Sequence, residues 1–524
     1  MKEMKYLVMM LSCLMGITEV WSAKILVNPY SQGFNSRLMN MEKLTWLLLE
    51  DGHDVSMVVN SRYDETMRPI SKNVTFFKYD VPDNAVLIND EEVISTMQKA
   101  SLIEGINLIV NISCSACEDV LASGILQILK AQNFDLFFFD YAEDCARFLV
   151  DYLDIPTISY VNEGAGSELI FGTLGHPEPL AIVPSLLVGF PDAMTFLQRV
   201  ENTVTNIIMH CIAYNTFQHF TTLRTKYGFN TSLSIMDTNS RGVALQFSNN
   251  HNVLDWVRPL MPNHIYIGGI YFAPPKSLPI NLEAIVEKAS TNGIIVASFG
   301  SIFKSSFLDR ELIEQMAIAF ASIPMTVIWK YSGEPPKALG ANTHLISWIP
   351  QNDLLGHPKV KLFVTHCGCS STYESIYHAL PVVTIPLSVD QYKHSTQLTS
   401  RLDMGVEVDF TTLVNTTLIH AINKVIGDPS YRKNAQDASK LIKDNPNNPK
   451  DLFLYWVNYV IRNKGAKHLK SKPMQELYLF QYFLLDVFLF LGGILTLVII
   501  IGVASIKFIY RKLMLLCTSK TKRD

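Results

Sequence analysis

Several common sequence signatures are missing from this chain of 524 residues, and each absence weighs against a class of function. No GxGxxG follows the first apolar strand ILVNP (25–29), no P-loop lysine motif is present, and GAGSE (164–168) is not the GxSxG of a serine hydrolase. Nicotinamide, ATP and serine-hydrolase chemistry are therefore disfavoured. The formal charge is only -4, so the chain has no bulk attraction for polyanions and we expect no nucleic-acid partner.

Both ends of the chain carry apolar segments that a globular core does not require. Lys2 and Lys5 precede an apolar stretch, a pattern typical of a secretory signal peptide, which we place at 1–23. Residues 487–506 form an uncharged run of about 20 residues, long enough to cross a bilayer as one helix. The basic tail at 507–524 predicts a cytosolic C-terminus by the positive-inside rule, so the body faces a lumen.

This topology predicts a single-pass type I protein of the endoplasmic reticulum membrane. The final residues KTKRD (520–524) resemble a dilysine retrieval signal, and a merely basic stop-transfer tail is the equal alternative. Asn-x-Ser/Thr sequons on the lumenal side predict glycosylation. They begin at Asn73, Asn111, Asn230 and Asn415.

Cysteine is sparse, at eight residues. Cys13 leaves with the predicted signal and Cys517 lies in the tail, which leaves six cysteines in an oxidising compartment. CSAC (114–117) has redox or metal spacing, but no second CxxC or histidine pair accompanies it, so we expect no metal site. The pairing of the six cannot be read from sequence, and we expect most of them to be small buried thiols.

Short apolar strands alternate with helical patterns between the two ends. ILVNP, for example, leads to a helix whose apolar face we assign to Leu38, Met41, Leu44 and Leu48. Strands that alternate with helices in this way predict an α/β fold with parallel sheets covered on both faces.

The alternation recurs in two halves, which predicts two Rossmann-like domains at 24–275 and 285–445. The proline-rich segment FAPPKSLP (272–279) interrupts the pattern, and we place the linker there. C-terminal, membrane-proximal helices follow at 446–480. Within them, LFLYWVNYVIR (452–462) is suited to packing on the core or to lying at the membrane surface.

The segment FVTHCGCSSTYES (363–375) ends a predicted strand and begins a predicted helix. Open parallel sheets bind ligands at such points. Small residues follow His366, so the backbone N–H groups of the helix's first turn can approach an anion such as phosphate closely. Glu374, about one turn into the helix, can accept hydrogen bonds from vicinal hydroxyls.

A longer stretch around this segment resembles a known family. SWIPQNDLLGHPKVKLFVTHCGCSSTYESIYHALPVVTIPLSVDQ (347–391) is similar throughout to the signature of the UDP-glycosyltransferases, and specifically to the membrane-anchored animal UDP-glucuronosyltransferases. The likeness covers nearly the whole mature chain and is weakest from about 60 to 240, which in this family forms much of the acceptor pocket. It implies GT-B architecture, in which two Rossmann-like domains face a cleft.

The resemblance also implies a donor site. Trp348 would stack on the uracil, Gln351 would hydrogen-bond its edge, and Glu374 would bind the ribose hydroxyls. The diphosphate would be held by Ser301, His366, Gly368, Ser370 and Ser371, and the transferred sugar by Asp390 and Gln391. The family needs no metal and no permanently bound cofactor. UDP-glucuronate or UDP-glucose would be the co-substrate, and a small lipophilic molecule the acceptor.

The chain departs from the family at the catalytic base. In members of the family, a histidine before the first helix deprotonates the acceptor hydroxyl. This histidine is paired with an aspartate after a later strand. Counting back from Gly52 and His53 places Arg37 at the histidine's position, and Asp140 matches the aspartate. Arginine cannot act as a base at neutral pH, and no histidine occurs from residue 1 to 52. A bidentate ion pair would result if Arg37 and Asp140 meet.

Smaller departures lie at Cys367 and Cys369, where a second glycine and another small residue are usual, and at Ser370, where asparagine is common. Two hypotheses stay open. The chain is either an active UDP-sugar transferase, acting on acceptors that need little deprotonation or using a poor base, or a non-catalytic UDP-sugar-binding partner subunit. The sequence does not identify the donor sugar. It also leaves open whether the chain forms a homo-oligomer or a hetero-oligomer.

Overall fold

The strands form two parallel sheets, one in each half of the chain. This computed structural model describes residues 22–30, 35–64, 69–88, 90, 92–93, 95–96, 100, 102–162, 178–185, 188–230, 242–300, 309–387, 389–471 and 477–520. The predicted signal peptide up to residue 21 and the last four residues of the tail lie outside these ranges. The chain divides into two units, Met1–Lys470 and Ser471–Asp524.

The first sheet has seven strands in the order β3-β2-β1-β4-β5-β6-β7, and every neighbouring pair is parallel. In chain order they are β1 (Lys24–Asn28), β2 (Asp54–Asn60), β3 (Thr75–Tyr79), β4 (Leu136–Asp140), β5 (Thr157–Val161), β6 (Val243–Ser248) and β7 (His264–Tyr266). The strand order reverses direction between β1 and β4, so the loops after these two strands flank a crevice.

The second sheet has six strands in the order β10-β9-β8-β11-β12-β13, again all parallel. They are β8 (Ile294–Ser298), β9 (Thr326–Lys330), β10 (Thr343–Ile346), β11 (Val360–Thr365), β12 (Val382–Thr384) and β13 (Gly405–Glu407). Here the order reverses between β8 and β11. The predicted α/β class with two Rossmann-like sheets is confirmed.

Helices cover both sheets, as the alternation of the sequence predicts. Those of the first half are α1 (Asn35–Glu50), α2 (Leu102–Ala122), α3 (Ile125–Ala131), α4 (Ala146–Leu153) and α5 (Phe196–Lys226). Those of the second half are α6 (Ile280–Glu287), α7 (Arg310–Ala321), α8 (Gln351–Leu355), α9 (Cys369–Tyr377), α10 (Val389–Thr396), α11 (Asn415–Gly427) and α12 (Pro429–Lys443). The C-terminal helices are α13 (Pro449–Arg462), α14 (Leu479–Tyr482) and α15 (Leu485–Lys520).

Helix α1 buries the apolar face that its spacing predicts. Leu38, Met41, Leu44 and Leu48 all lie in the core on one side of the first sheet. Their spacing of three or four residues puts them on one stripe of the helix, which faces the sheet. The register that places Arg37 at the start of the helix is therefore fixed by packing.

Helix α13 belongs to the core of the first half, although it follows the second half in sequence. Phe453, Val457 and Val460 are fully buried against the first sheet, and the Phe453 ring lies 5.8 Å from that of Phe138 and 5.0 Å from that of Phe247. Of the two alternatives for this segment, packing on the core is the one observed.

Helix α15 begins two residues before the predicted membrane span and continues to Lys520. Its apolar part, Leu485–Leu515, has a mean hydropathy of 2.8 and is long enough to span a bilayer. Ile103–Ala122 passes the same test by composition, but Val110, Cys117 and Val120 of this segment lie in the core of the first half.

One disulfide joins α2 to the residue before α4: Cys117 is bonded to Cys145. The expectation that most of the six remaining cysteines are buried thiols is wrong. Only Cys367 and Cys369 are buried thiols; Cys114 is half-buried and Cys211 is exposed. The three exposed sequon asparagines are Asn73, Asn111 and Asn230, and Asn415 is half-buried.

We expect the Cys117→Ser/Cys145→Ser double variant to lose about 3–4 kcal/mol of unfolding free energy, because the bridge closes a loop with a sequence separation of 28 in the unfolded chain. Denaturant titration of the protein measures this loss. Cys114→Ser, which removes an unpaired thiol from the same helix, is the matched control. Equal midpoints for the double variant and the control would contradict the expectation.

Candidate functional site

The turn after β11 lies at the reversal point of the second sheet, beside the end of β8. His366 fills the space between two glycines: a Cβ atom on Gly300 would stand 2.5 Å from His366 Nε2, and one on Gly368 would stand 2.6 Å from it. Gly300 also has a φ of +82°, which favours glycine. Both glycines are therefore required for the imidazole to occupy this place.

His366 is buried, and its Nδ1 has no hydrogen-bond partner among the described residues. Burial lowers the pKa of His366 to about 4, and the nearby Lys330 ammonium acts in the same direction. The ring is therefore neutral at pH 7, which leaves one N–H donor and one acceptor nitrogen.

Cys367 has a φ of +64°, in the left-handed region that side chains with a Cβ adopt rarely. Its backbone N–H donates to Thr365 Oγ1 at 3.1 Å, and its carbonyl lies 3.0 Å from His394 Nδ1. This conformation gives a physical reason for the glycine that is usual here in the resembling family.

Helix α9 begins at Cys369 with Gly368 as its N-cap, and no side chain within the described part of the chain caps it. The first N–H groups of a helix have no partner within the helix and carry its partial positive charge. Ser370 is exposed and Ser371 is buried in this first turn. The first turn of α9 therefore offers donors to an anion at the mouth of the turn.

A hydrogen-bonded cluster joins three of the predicted donor residues. Gln351 Nε2 donates to Ser371 Oγ at 3.0 Å and to Glu374 Oε2 at 2.6 Å. Burial raises the pKa of Glu374, while the bond from Gln351 and the ammonium groups of Lys43 and Lys330 oppose that rise. The carboxylate is thus held in place by an amide and by two nearby cations.

These two lysines are the residues that sequence reasoning missed. Lys330 ends β9, and its Nζ lies 4.5 Å from the centroid of the Trp348 ring, whose side chain is 63% exposed. Lys43 comes from α1 in the other half and lies 5.1 Å from the Tyr271 ring. Burial lowers the pKa of both lysines, and Glu374 opposes the shift. No local pattern marks either lysine, because each acts on an element distant in sequence.

The two residues predicted to bind the transferred sugar, Asp390 and Gln391, both lie in helix α10. Asp390 lies half-buried in the first turn of α10. Gln391 is buried, and its Oε1 accepts from the backbone N–H of Leu387 at 2.8 Å, so part of its amide stabilises the preceding loop. Ser301 lies outside the described residues.

The reversal point of the first sheet brings Arg37 and Asp140 together. Arg37 Nε donates to Asp140 Oδ2 at 3.0 Å, and Nη2 donates to Oδ1, so the contact is bidentate. Oδ1 also accepts from the N–H of Ala142 at 3.0 Å. Asp140 is fully buried and the Arg37 side chain is 11% exposed, so the guanidinium covers the carboxylate.

Two further groups surround this ion pair. Tyr30 is buried, and its ring lies 5.6 Å from Arg37 Cζ. Burial raises the pKa of Tyr30, the Glu143 carboxylate adds to the rise, and Arg37 opposes it. Glu143, two residues past Tyr141 in the loop after β4, is itself buried. Tyr30 is therefore a neutral phenol at pH 7.

Helix α9 also contacts the first half directly. Cys369 Sγ lies 3.2 Å from the carbonyl oxygen of Asn162 and 3.3 Å from Asn249 Nδ2. The Tyr373 hydroxyl donates to the carbonyl of Asn249 at 2.8 Å. The two crevices therefore face one another across a cleft, and only a small side chain fits at position 369.

Two parallel α/β domains with ligand crevices that face a shared cleft define a GT-B glycosyltransferase. Solved structures agree: the glycotransferase of kitacinnamycin has a TM-score of 0.57 at 14% identity, covering 84% of this chain and 99% of that chain. CalG4, the calicheamicin glycosyltransferase, has a TM-score of 0.55 at 15% identity, covering 84% of this chain and 99% of that chain. At these identities the likeness shows the fold.

Sequence comparison narrows the class. Residues 23–521 match the profile of the UDP-glucoronosyl and UDP-glucosyl transferases, and the chain belongs to this family. The resemblance stated from residues 347–391 is confirmed. The chain is a glycosyltransferase by family, and use of a UDP-sugar follows from that membership.

The names of similar proteins specify different transferred sugars. The 2-hydroxyacylsphingosine 1-beta-galactosyltransferase of Rattus norvegicus is 36% identical over 399 residues, which cover 76% of this chain and 72% of the relative. UDP-glucuronosyltransferase 2A3 of Homo sapiens is 34% identical over 367 residues, covering 70% and 69%. UDP-glucuronosyltransferase 2B14 of Oryctolagus cuniculus is 32% identical over 519 residues, covering 96% and 95%.

Proposed function

We propose that this protein transfers a hexosyl or glucuronosyl group from a UDP-sugar to small lipophilic acceptors by an inverting displacement. The observation that carries the proposal is the cluster of Gln351, Ser371 and Glu374 beside the turn that holds His366. It combines a buried carboxylate with the first turn of α9, and Lys330, which acts electrostatically on this carboxylate, lies over the ring of Trp348.

The donor would bind along this crevice from base to phosphate. The exposed Trp348 offers a face for the uracil, with Lys330 beside it, and Gln351 can bond the edge of the base. Glu374 would accept from the ribose hydroxyls. The diphosphate would lie at the first turn of α9, where Gly368 and Ser370 leave room for close approach.

The sugar would lie towards α10, with Asp390 and Gln391 as its hydroxyl partners. Displacement at the anomeric carbon passes through an oxocarbenium-like state, so the departing diphosphate must be stabilised. The helix N-terminus and the neutral His366 ring can supply that stabilisation by hydrogen bonding.

The acceptor side has no imidazole base at the family's position. Arg37 stays protonated, and its bidentate contact engages the Asp140 carboxylate that would otherwise orient a histidine. We therefore infer that the acceptors preferred by this chain are nucleophiles that need little deprotonation, such as amines or carboxylates. Hydroxyl acceptors would react slowly, with Asp140 or a water as a poor base.

The same ion pair favours a second candidate function. A chain that keeps the donor crevice but has neutralised the catalytic aspartate fits a weak or inactive UDP-sugar-binding partner subunit. Product formation by the purified protein from a UDP-sugar and amine, carboxylate and phenol acceptors separates the two functions. Transfer to any of these acceptors would exclude the inactive alternative.

Location also bears on the acceptor. The apolar helix Leu485–Leu515 supports anchoring in a membrane, and the basic tail that follows it, ending in KTKRD, supports the endoplasmic reticulum with the body in the lumen. Lipophilic molecules concentrate in bilayers, so a membrane anchor raises their local concentration at the enzyme. The name of the sphingosine galactosyltransferase relative agrees with a lipophilic acceptor.

A thermal-shift screen of UDP, UDP-glucuronate, UDP-glucose and UDP-galactose tests the donor site without an acceptor. We expect the matching ligand to raise the melting temperature, because a ligand at 100 times its Kd stabilises the folded state by about 2.7 kcal/mol. Trp348→Ala should reduce the shift, whereas Trp46→Ala, an exposed tryptophan of α1, should leave it unchanged. No shift with any UDP compound would overturn the donor assignment.

A further inference from the structure

Helix α10 contacts the first half of the chain through an ion pair that the predicted donor site does not include. Lys393 Nζ lies 3.1 Å from Asp255 Oδ1, and both side chains are only 4% exposed. Asp255 belongs to the first half, in the segment between β6 and β7, whereas Lys393 follows Asp390 in α10. The two halves are therefore joined by a buried ion pair beside a residue predicted to bind the transferred sugar.

Two further groups donate to the Asp255 carboxylate. Gln397 Nε2 donates to Oδ1 at 3.3 Å, and the backbone N–H of His251 donates to Oδ2 at 3.1 Å. Burial would raise the pKa of Asp255, but the nearby Lys393 ammonium and Arg258 guanidinium outweigh burial, so this pKa lies below its ordinary value. Asp255 is therefore an ionised, hydrogen-bonded carboxylate at pH 7.

Lys393 and Gln397 lie on the same stripe as Asp390, because helical residues three, four and seven apart share one face. Gln397 also begins a π-helical turn, Gln397–Arg401, that continues α10. Such turns are rare and occur frequently at functional sites. A carboxylate that holds both Lys393 and Gln397 restricts rotation of α10 about its axis, and it thereby fixes the position of Asp390.

Two more hydrogen bonds tie this end of α10 to the first half. Thr396 Oγ1 donates to the carbonyl of Gly189 at 2.9 Å. Arg401 Nε, in the π-helical turn, donates to the carbonyl of Val253 at 3.2 Å. The C-terminal end of α10 is therefore fixed to two segments of the first half, whereas Asp390 at the opposite end is half-buried.

A buried ion pair commonly contributes no more stability than an apolar pair of similar volume, but its hydrogen bonds require one geometry. The pair of Asp255 and Lys393 is therefore better suited to setting the position of α10 than to stabilising the fold. We propose that Asp255 and Lys393 are positioning residues for the transferred sugar. They hold α10 so that Asp390 and Gln391 meet the sugar hydroxyls. This inference rests on the proposed donor site, and it gives the first half a part in recognising the donor sugar.

Isothermal titration of the full chain in detergent micelles measures the affinity for UDP and, separately, for the UDP-sugar that gives the largest thermal shift. Lys393→Met should weaken binding of the UDP-sugar ~10-fold or more, because even a small misplacement of a binding group is costly. Binding of UDP should change much less, since Trp348 and Glu374 lie outside α10. Lys393→Arg, which keeps the positive charge, should bind the UDP-sugar more tightly than Lys393→Met.

A second variant controls for misfolding, because Lys393→Met alone leaves the Asp255 carboxylate buried without this cation. Asp255→Asn/Lys393→Met removes both charges and keeps an amide oxygen for the His251 N–H. It should fold with normal UDP affinity and still bind the UDP-sugar ~10-fold more weakly than the unmodified chain. Lys433→Met, which breaks the exposed pair of Lys433 with Asp437, is the matched control and should leave both affinities unchanged.

Equal losses of affinity for UDP and for the UDP-sugar would show that the pair is merely structural and would overturn the inference. An unchanged affinity for the UDP-sugar in the folded double variant would overturn it as well. In both cases the donor site itself would stand, because UDP still binds the unmodified chain. If the unmodified chain binds no UDP compound, the proposed function fails instead.

Discussion

Replacing Arg37 with histidine is expected to raise transfer to hydroxyl acceptors by about 10²–10⁴-fold, which is the usual contribution of a general base. The guanidinium now covers Asp140 with two hydrogen bonds. An imidazole at the same position can accept the acceptor's proton while the carboxylate holds its other N–H, as in other catalytic triads. Initial rates with a phenol and a saturating UDP-sugar measure the gain.

Two control variants make the Arg37→His experiment decisive. Arg37→Gln removes the charge without adding a base, so it should give no gain with phenols. Arg37→His/Asp140→Asn should lose most of the gain, because the amide no longer stabilises the imidazolium. A folded Arg37→His protein, with a normal UDP-induced thermal shift and no faster transfer, would refute the view that the missing base limits the rate.

Amine and carboxylate acceptors should respond differently to the same change. They need little deprotonation, so Arg37→His should alter their rates far less than those of phenols. The ratio of the phenol rate to the amine rate therefore measures the contribution of the general base. It also cancels differences between preparations in the fraction of active protein. An equal gain with all acceptors would point to a change in packing instead.

The second large effect is expected at Glu374. Glu374→Gln should weaken UDP binding by about 10- to 100-fold, because a neutral amide offers one acceptor oxygen where the carboxylate offers two charged ones. Isothermal titration with UDP measures the loss. Glu287→Gln, on the exposed end of α6, is the matched control and should bind UDP normally.

The same Glu374→Gln variant should be at least as stable as the wild type without ligand at pH 7. Burial raises the pKa of Glu374, so the ionised carboxylate opposes folding above its unfolded pKa. As the pH falls through the raised pKa of Glu374, the carboxylate becomes protonated in the folded protein and no longer destabilises it. The stability advantage of the variant should therefore shrink at low pH. Weaker folding together with unchanged UDP affinity would refute the assignment of Glu374 to the ribose.

Local patterns in the sequence predict much of this fold. The first strand, predicted at 25–29, and the buried face of α1 follow directly from apolar spacing. Strand β3 is harder to predict, because it lies at the sheet's edge and only Tyr79 at its end is fully buried, so its apolar pattern is weak. The donor turn is predicted because strand, glycine and small residues are adjacent in sequence.

Local sequence patterns do not predict contacts between segments that are distant along the chain. Lys43 acts electrostatically on Glu374 from the opposite half, and the Cys117–Cys145 bond joins residues whose pairing the sequence does not indicate. The contact between Arg37 and Asp140 is an exception, because the resemblance to the family implied that these two positions are partners, and the ends of neighbouring parallel strands lie at the same edge of a sheet.

Helix α13 returns to the first half after the second half is complete, so the polypeptide crosses between the halves at two separate places. Two crossings resist twisting of one half against the other far better than a single linker would. The easiest remaining motion is a hinge rotation about the line that joins the two crossings, and this rotation opens and closes the cleft between the halves. Product release through such an opening would depend on how far the two crossing segments, at 272–279 and 444–448, can bend.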